Sequence, residues 1–380
     1  MNEQTFYFDN SATSWPKPAA VIAAVEEALR EFGSAGRSFH AWSMRAAREI
    51  TRTRQSLADL VGLTDPSRIA FTSSATESLN LVLLGLVGPG DHVISSVAEH
   101  NSVLRPLRLS GCDVTLLGVD ERGVIRLEQL ESTLLRNTKL VVMTHGSNVT
   151  GNLTETARLR SFCREHGLIL VLDVSQTLGH ADVTADLADI LCFTGHKGLL
   201  GPQGTGGMIV NGDFPFAIRK TGGAGEHSFA PLQRTTMPEI FEVGTANAHG
   251  LYGLQKGIEH IRTMTVAEIA NKEAMLTERC LAGLLRLPGV EVFTDAEATT
   301  RLPLLSFRLK DQASADVAAY LWDEWGIACR AGSHCAPRLH EALGTAESGL
   351  VRVSFSASNT PAEIDRLLAA LDACVGAAQA

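Results

Sequence analysis

No Cys-x-x-Cys pair occurs in this sequence: its seven cysteines, at positions 112, 163, 192, 280, 329, 335 and 374, form an odd and scattered set. That spacing argues against a disulfide framework and a structural zinc site, and most of these thiols read as small buried apolar residues. No run of Lys or Arg is long enough to form an electrostatic footprint for nucleic acid or anionic lipid. The acidic residues behind the net charge of −9 are dispersed rather than gathered in a tail. Long hydrophobic runs are missing too. Leu79 to Val87 is interrupted by Asn80 and Gly85 and is too short to span a bilayer. Residues Met1 to Asp9 have neither the basic start nor the apolar stretch of a signal peptide, so a cytoplasmic protein that engages neither nucleic acid nor membrane is expected. Internal repeats and low-complexity segments are also lacking. Small-molecule chemistry is what these absences leave.

Apolar residues make up 45% of the chain and charged residues 20%, the balance of an ordinary globular protein. At 380 residues the chain exceeds the ~250–300 at which one core stops growing, so two domains are expected. From about residue 68 to 210, short β-branched runs at 69–71, 92–94, 113–117, 140–143, 168–172 and 190–193 alternate with helical patterns at 127–135 and 155–166. That alternation predicts an α/β fold with a mostly parallel sheet. Two helices precede it, one from near Pro18 to Gly33 and one over 44–61. One long helical pattern over 250–285 follows, and strands at 290–293, 304–307 and 351–354 form a smaller α+β unit. The expected organisation is a segment over 1–15 packing with the small domain, a large α/β domain over 16–250, and a small α+β domain over 251–380.

The segment from Asp189 to Gly207 delivers Thr194-Gly195-His196-Lys197 from a short apolar strand into a glycine-rich stretch. Loops at strand ends commonly bind ligands. A phosphate-binding P-loop needs G-x-x-x-x-G-K-[ST], and here His196 precedes Lys197 while Gly198 follows it. A dinucleotide loop opens a helix, whereas Gly204-Thr205-Gly206-Gly207 leads into strand-like Met208-Ile209-Val210. Two readings stay open: a solvated loop lysine, and a Schiff-base lysine.

The second reading demands an acid for a pyridine nitrogen and donors for a phosphate. Asp173 ends the very apolar strand at 168–172, where an unpaired carboxylate is costly. It would also serve as a turn cap there. Ser73-Ser74-Ala75-Thr76-Glu77 opens an apolar helix and offers free amides to an anion, or an ordinary N-cap.

Taken in order, Phe8-Asp9-Asn10-Ser11-Ala12-Thr13, Ser74-Ala75-Thr76-Glu77-Ser78-Leu79-Asn80, Glu99-His100-Asn101-Ser102, Ser147-Asn148-Val149-Thr150-Gly151, Asp173-Val174-Ser175-Gln176, Thr194-Gly195-His196-Lys197, Glu242-Val243-Gly244-Thr245, Arg330 to Pro337 and Arg352-Val353-Ser354 cover nearly the whole chain. This ordered set resembles the class V, fold type I family of pyridoxal-phosphate enzymes, in its cysteine desulfurase branch. The resemblance implies that Lys197 carries the cofactor and then acts as base. It implies that His100 stacks on the ring as a catalytic residue, Asp173 pairs with the ring nitrogen and Gln176 meets the phenolic oxygen. Asn148 would lie beside cofactor and substrate. Ala75, Thr76, Thr194 and His196 would hold the phosphate, with Gly244 and Thr245 reaching it across a homodimer. Arg352 and Arg330 would bind the substrate carboxylate, as planar forks suit two oxygens. Among these residues His100 also reads as a helix cap, Gln176 as a partner for loop backbone, and Arg352 as half of a structural ion pair.

Cys335, in a loop-like stretch after the helical pattern ending near Trp325, would receive sulfur from L-cysteine as a persulfide and pass it to an acceptor protein. Arg330 and His334 would raise the positive potential around its thiol. The H-C-A context resembles group II cysteine desulfurases and selenocysteine lyases, so selenocysteine or another β-substituted amino acid is the rival substrate. A low-turnover sulfur-transfer or scaffold protein is the rival from outside enzymology. Ser333 stands where that group often has histidine, and Ala246 where proline is common. The first touches thiol activation, and the second removes proline's fixed φ from a turn at the subunit contact.

Overall fold

The structure is a computed structural model that describes residues 5–36, 38–223 and 229–377, so the first four residues of the N-terminal segment lie outside it. The chain opens on strand β1 (Phe6–Tyr7) and helices α1 (Ala19–Glu31) and α2 (Ala41–Leu60). Then come β2 (Ile69–Thr72), α3 (Ala75–Leu86), β3 (His92–Ser96), α4 (Asn101–Ser110), β4 (Asp113–Leu117), α5 (Leu130–Thr133) and β5 (Thr138–Thr144). They are followed by α6 (Thr156–His166), β6 (Ile169–Asp173), β7 (Ile190–Thr194) and β8 (Gly206–Val210). After α7 (Ala248–Met264) and α8 (Val266–Leu284) the chain forms β9 (Val290–Phe293), β10 (Leu304–Leu309), α9 (Ser314–Trp325), β11 (Ile327–Ala328) and β12 (Arg330–Gly332). It finishes with α10 (Pro337–Ala342), β13 (Leu350–Ser354) and α11 (Pro361–Ala377).

The large sheet has the order β2-β8-β7-β6-β5-β3-β4. Only β8 runs against its neighbours β2 and β7; the other pairings are parallel. The two-residue period of a strand explains why its apolar runs are continuous. Val141, Met143, Leu170, Leu172, Leu191 and Phe193 enter the core on one face. Their alternates Leu140, Val142, Val171, Ile190 and Cys192 enter the core on the other. With both faces covered, the polar residues that end these strands are left at one edge. Thr144, Asp173 and Thr194 end β5, β6 and β7, and open parallel sheets bind ligands at that carboxyl edge.

The second sheet is antiparallel, in the order β12-β13-β10-β9. Phe307, Val351, Val353, Phe355 and Leu367 lie in its core, and Phe6 and Phe8 from the chain's start join them. β1 pairs in parallel with β11. The chain crosses from one core to the other within α8. Ile269 belongs to the first, and Leu276, Cys280, Leu281 and Leu284 belong to the second.

Two expected helices are revised. The pattern over 250–285 is two helices, parted at Thr265, whose φ is +64° and whose side chain accepts from the Glu268 amide. Thr265-x-x-Glu268 has the sequence of a capping box, a start signal inside an apparently continuous periodicity, and here Glu268 Oε2 accepts from the Thr265 hydroxyl at 3.1 Å. The expected helix over 127–135 is a 3₁₀ turn at Leu127–Gln129 followed by the single turn α5. Among the described residues no helix is long and apolar enough to cross a membrane.

Candidate active site

A cavity of about 220 Å³ opens at the carboxyl edge of the large sheet. Ala75, Thr76, His100, Asn148, Asp173, Gln176, Thr194, His196, Lys197, Arg330 and Arg352 all line it. Lys197 follows β7 in a turn closed by Leu200 N–H to the Lys197 carbonyl at 2.9 Å and Gly201 N–H to the Gly195 carbonyl at 2.8 Å. Gly198 is demanded by packing, since a Cβ there would lie 2.4 Å from the Leu178 carbonyl oxygen. Burial lowers the Lys197 amine to about 8, against the pull of the Asp173 charge, so a good part of it is neutral near pH 8. Among the described residues its Nζ makes no hydrogen bond or ion pair.

The Asp173 Oδ1 accepts from the Ser175 amide at 2.9 Å and from the Ser175 hydroxyl. His100 caps α4: its Nδ1 accepts from Ser102 N–H at 3.0 Å and lies 2.7 Å from Ser102 Oγ. Capping and cavity lining therefore coexist in one ring, whose pKa is lowered mainly by burial. Ser102 Oγ in turn meets Thr76 Oγ1 at 2.7 Å. Gln176 donates to the Ser11 carbonyl at 3.1 Å. Arg352 is 1% exposed; its Nη2 pairs with Asp9 Oδ1 at 2.9 Å, its Nη1 donates to the Asn148 carbonyl at 3.0 Å, and its Nε has no partner. The structural ion pair considered for Arg352 thus exists, with Asp9 as its other half. Arg330 has no carboxylate partner among the described residues.

Behind His100, Glu99 is fully buried, and its Oε1 accepts from Ser96 Oγ at 2.6 Å and from the Thr144 amide at 3.0 Å. Among the described residues its Oε2 has no partner. Burial, with a smaller contribution from the Asp173 charge, raises this carboxyl to about 8, so it is protonated near neutrality.

Whether these residues fit a phosphate-bearing cofactor is answered by what is unsatisfied. Thr194 Oγ1 and His196 Nδ1 are buried without partners among the described residues. Ala75 and Thr76 open α3, where the first amides have no intrahelical acceptor, and Ser74 caps only the Glu77 amide. Buried polar atoms without partners are rare, and Thr194, His196 and Arg352 each bring one to this cavity. The donor set suits an anion beside the lysine, and burial lowers His196 to about 4, leaving a neutral donor.

Three expected residues lie elsewhere. Gly244 and Thr245 are exposed and line a separate cavity of about 840 Å³ with Ser73 and Glu77. Cys335 does not line the 220 Å³ cavity. It is half-buried, with Arg330 Nη2 at 3.9 Å from its Sγ. His334 and Cys335 have φ of +50° and +59°, a left-handed pair that turns the loop sharply. The loop is tied down by Asn148 Nδ2 to the His334 carbonyl at 2.7 Å and by Asn101 N–H to the Cys335 carbonyl at 2.8 Å. The positive potential expected from His334 is corrected. That ring is buried, stacked on His340 with centroids 5.8 Å apart, and held neutral at about 2, so among the described residues the cation beside the thiol is Arg330. Asp9, Ser11, Ser102, Thr144 and Ser175 were given no role in the sequence, although Asp9, Ser11, Ser102 and Ser175 sit inside its motifs.

The sequence profile of the aminotransferase class-V family matches residues 6–367. A probable cysteine desulfurase of Pyrococcus abyssi is 33% identical, over 99% of this chain and 95% of its own length. A cysteine desulfurase of Cronobacter sakazakii is 30% identical, over 98% and 94%. Among solved structures, the apo cysteine desulfurase of Thermococcus onnurineus has a TM-score of 0.91 at 32% identity, covering 98% of this chain and 95% of its own. The cysteine desulfurase CsdA of Escherichia coli has a TM-score of 0.87 at 28% identity, covering 99% and 96%. With a carboxyl-edge cavity built around a lysine and a profile match over nearly its whole length, the chain belongs to the aminotransferase class-V family, among relatives that are cysteine desulfurases.

Proposed function

We propose that the chain is a pyridoxal-phosphate-dependent cysteine desulfurase that converts L-cysteine to L-alanine and keeps the sulfur on Cys335. The observation that carries this reading is one cavity. In it a lysine with a lowered pKa faces Asp173, two arginines and the unsatisfied Thr194 and His196; outside its lining, the Cys335 thiol stands 3.9 Å from Arg330.

Lys197 would hold the cofactor, with Asp173 on the ring nitrogen, His100 over the ring, Gln176 and Asn148 at its edge, and Ala75, Thr76, Thr194 and His196 on the phosphate. Bound there, the cofactor supplies an electron sink that acidifies the substrate α-proton. Arg330 and the unpartnered Nε of Arg352 orient the substrate carboxylate. Lys197 takes the α-proton at Nζ, a role suited to an amine that burial holds near neutrality. The Cys335 thiolate attacks the substrate sulfur. A sulfur–sulfur bond forms, the substrate carbon–sulfur bond breaks, and the electron pair returns to carbon, where protonation gives alanine. The enzyme keeps a persulfide, and an acceptor protein collects its outer sulfur.

The exposed Gly244 and Thr245, beside a large cavity, support a homodimer in which Gly244 and Thr245 of the partner subunit complete the phosphate site. All seven cysteines are unpaired, which supports a reducing compartment, the cytoplasm. Incubation with L-cysteine and a reductant tests the reading. Alanine and sulfide in equal amounts are expected, and neither product from cofactor-loaded protein would refute it.

A further inference from the structure

One carbonyl oxygen near the cavity carries more donors than its two lone pairs need. The His196 carbonyl accepts from Ser14 N–H at 3.0 Å, Thr13 Oγ1 at 3.1 Å, Ser14 Oγ at 3.1 Å and Lys17 Nζ at 2.8 Å. Lys17 Nζ also donates to Ser14 Oγ at 2.7 Å. Among the described residues Lys17 has no carboxylate partner, and burial lowers its amine to about 8. A lysine near the surface ordinarily extends its ammonium into water. This one turns inward and places its charge on a backbone oxygen, which needs a reason.

The oxygen belongs to the peptide that joins His196 to Lys197. The following peptide is fixed as well, by Leu200 N–H on the Lys197 carbonyl at 2.9 Å. The backbone of Lys197 is therefore held on both sides, while its amine is left without a hydrogen bond. A few residues upstream in the same stretch lies Asp9, whose carboxylate holds Arg352 Nη2 at 2.9 Å. A short stretch of chain thus spans the arginine offered to the substrate carboxylate and the peptide that carries the amine.

We propose that Lys17 is a positioning residue for Lys197: with Thr13 and Ser14 it clamps the His196 carbonyl and sets where the Lys197 amine stands relative to Arg352. The proposal rests on the functional reading above for what Lys197 and Arg352 do. A displacement on the order of 1 Å at a reacting group costs roughly a hundredfold in rate, so the clamp acts on kcat rather than on substrate affinity.

The test uses Lys17→Met and Lys17→Arg in the full chain, with two readouts. In cofactor-free protein, labelling of the Lys197 amine by cyanate is followed against pH through the mass of its peptide. The wild-type midpoint is expected near 8, and Lys17→Met should move it upward by about one pH unit as the released amine reaches water. The substitution retains the groups that face Lys197, namely Asp173, Asp9, Arg330 and Arg352 with the rings of His100, His180 and His196. In loaded enzyme, kcat for cysteine should fall roughly 10- to 100-fold with KM within about twofold. Lys17→Arg, which restores a cationic donor, should recover most of that loss. A wild-type labelling midpoint together with wild-type kcat in Lys17→Met overturns the proposal, as does a loss that Lys17→Arg does not relieve. If Lys17→Met fails to fold, Thr13→Val with Ser14→Ala removes two donors. It should shift both readouts in the same direction by less, and no shift in either again overturns the clamp. Wild-type enzyme that yields no alanine refutes the functional reading instead, and the labelling readout still decides the clamp.

Discussion

Glu99→Gln should stabilise the protein progressively as pH rises, because the wild-type carboxyl has nowhere to put a charge. In the folded chain it is fully buried and held to about 8 against an ordinary value of 4.5. A folded pKa above the unfolded one means that the native state binds more protons between those values. Stability contributed by this group is therefore complete below about pH 4.5 and is lost as pH climbs toward 8. Across pH 5.5 to 8.5 the loss is ~3 kcal/mol, an upper value since interiors relax around charge. Glutamine keeps an acceptor for the Ser96 hydroxyl and the Thr144 amide, and it cannot ionise. Its –NH₂ takes the place of the unpartnered Oε2, a fixed cost of about 1–3 kcal/mol that does not depend on pH. The slope is therefore diagnostic and the offset is not. At this chain length ~1 kcal/mol moves the thermal midpoint by roughly 1–2 °C on the usual size scaling. The midpoint of Glu99→Gln minus that of wild type, measured at fixed protein and cofactor concentration, should rise by roughly 3–6 °C between pH 5.5 and 8.5. A difference flat with pH, or one that falls, would refute the assignment of a neutral Glu99.

Other substitutions separate the proposed tasks. Lys197→Ala should retain pyridoxal phosphate through the helix-end and hydroxyl donors yet lose turnover by roughly 10²–10⁴-fold, read as alanine release; borohydride should fix cofactor mass to the wild-type Lys197 peptide and to no other. Cys335→Ala should bind cofactor, fold with wild-type stability to within ~0.5 kcal/mol, and lose desulfuration. Wild type treated with cysteine and no reductant should gain one sulfur on the Cys335 peptide, and sulfur on the Cys329 peptide instead would displace that assignment. Thr245→Ala should weaken phosphate retention in a dimer, and a fully active monomer in sizing under assay conditions would contradict the shared site.

The strands of the large sheet were legible because burial on both faces writes continuous apolar runs, and Asp173 and Thr194 stand out as polar residues ending such runs. The resemblance carried by the ordered motifs then implied residues that line the cavity. What stayed hidden depends on distance in sequence. Nothing near Arg352 announces that Asp9 holds it, and nothing near His334 announces the His340 ring that shares its burial. Short strands such as β1, β11 and β12 leave too few residues to show a period. The break at Thr265 was readable as a capping box, but the apolar periodicity on both sides of it masked the stop. For the same reason the passage between cores, which falls inside α8, has no compositional mark.

The pairing of Phe6 with Ile327 and of Asp9 with Arg352 joins the start of the chain to its far end. At ribosomal speeds of roughly 5–20 residues per second, about 20–70 s separate the emergence of these partners. During that interval the N-terminal phenylalanines have no core to enter, which makes them a natural target for a holding chaperone. Loop closure over such a separation also makes this contact a late event in folding. A nascent chain stalled before residue 350 would carry Lys197 and Arg330 without Arg352, so amino-acid substrates meet a complete pocket only after the ribosome has nearly finished.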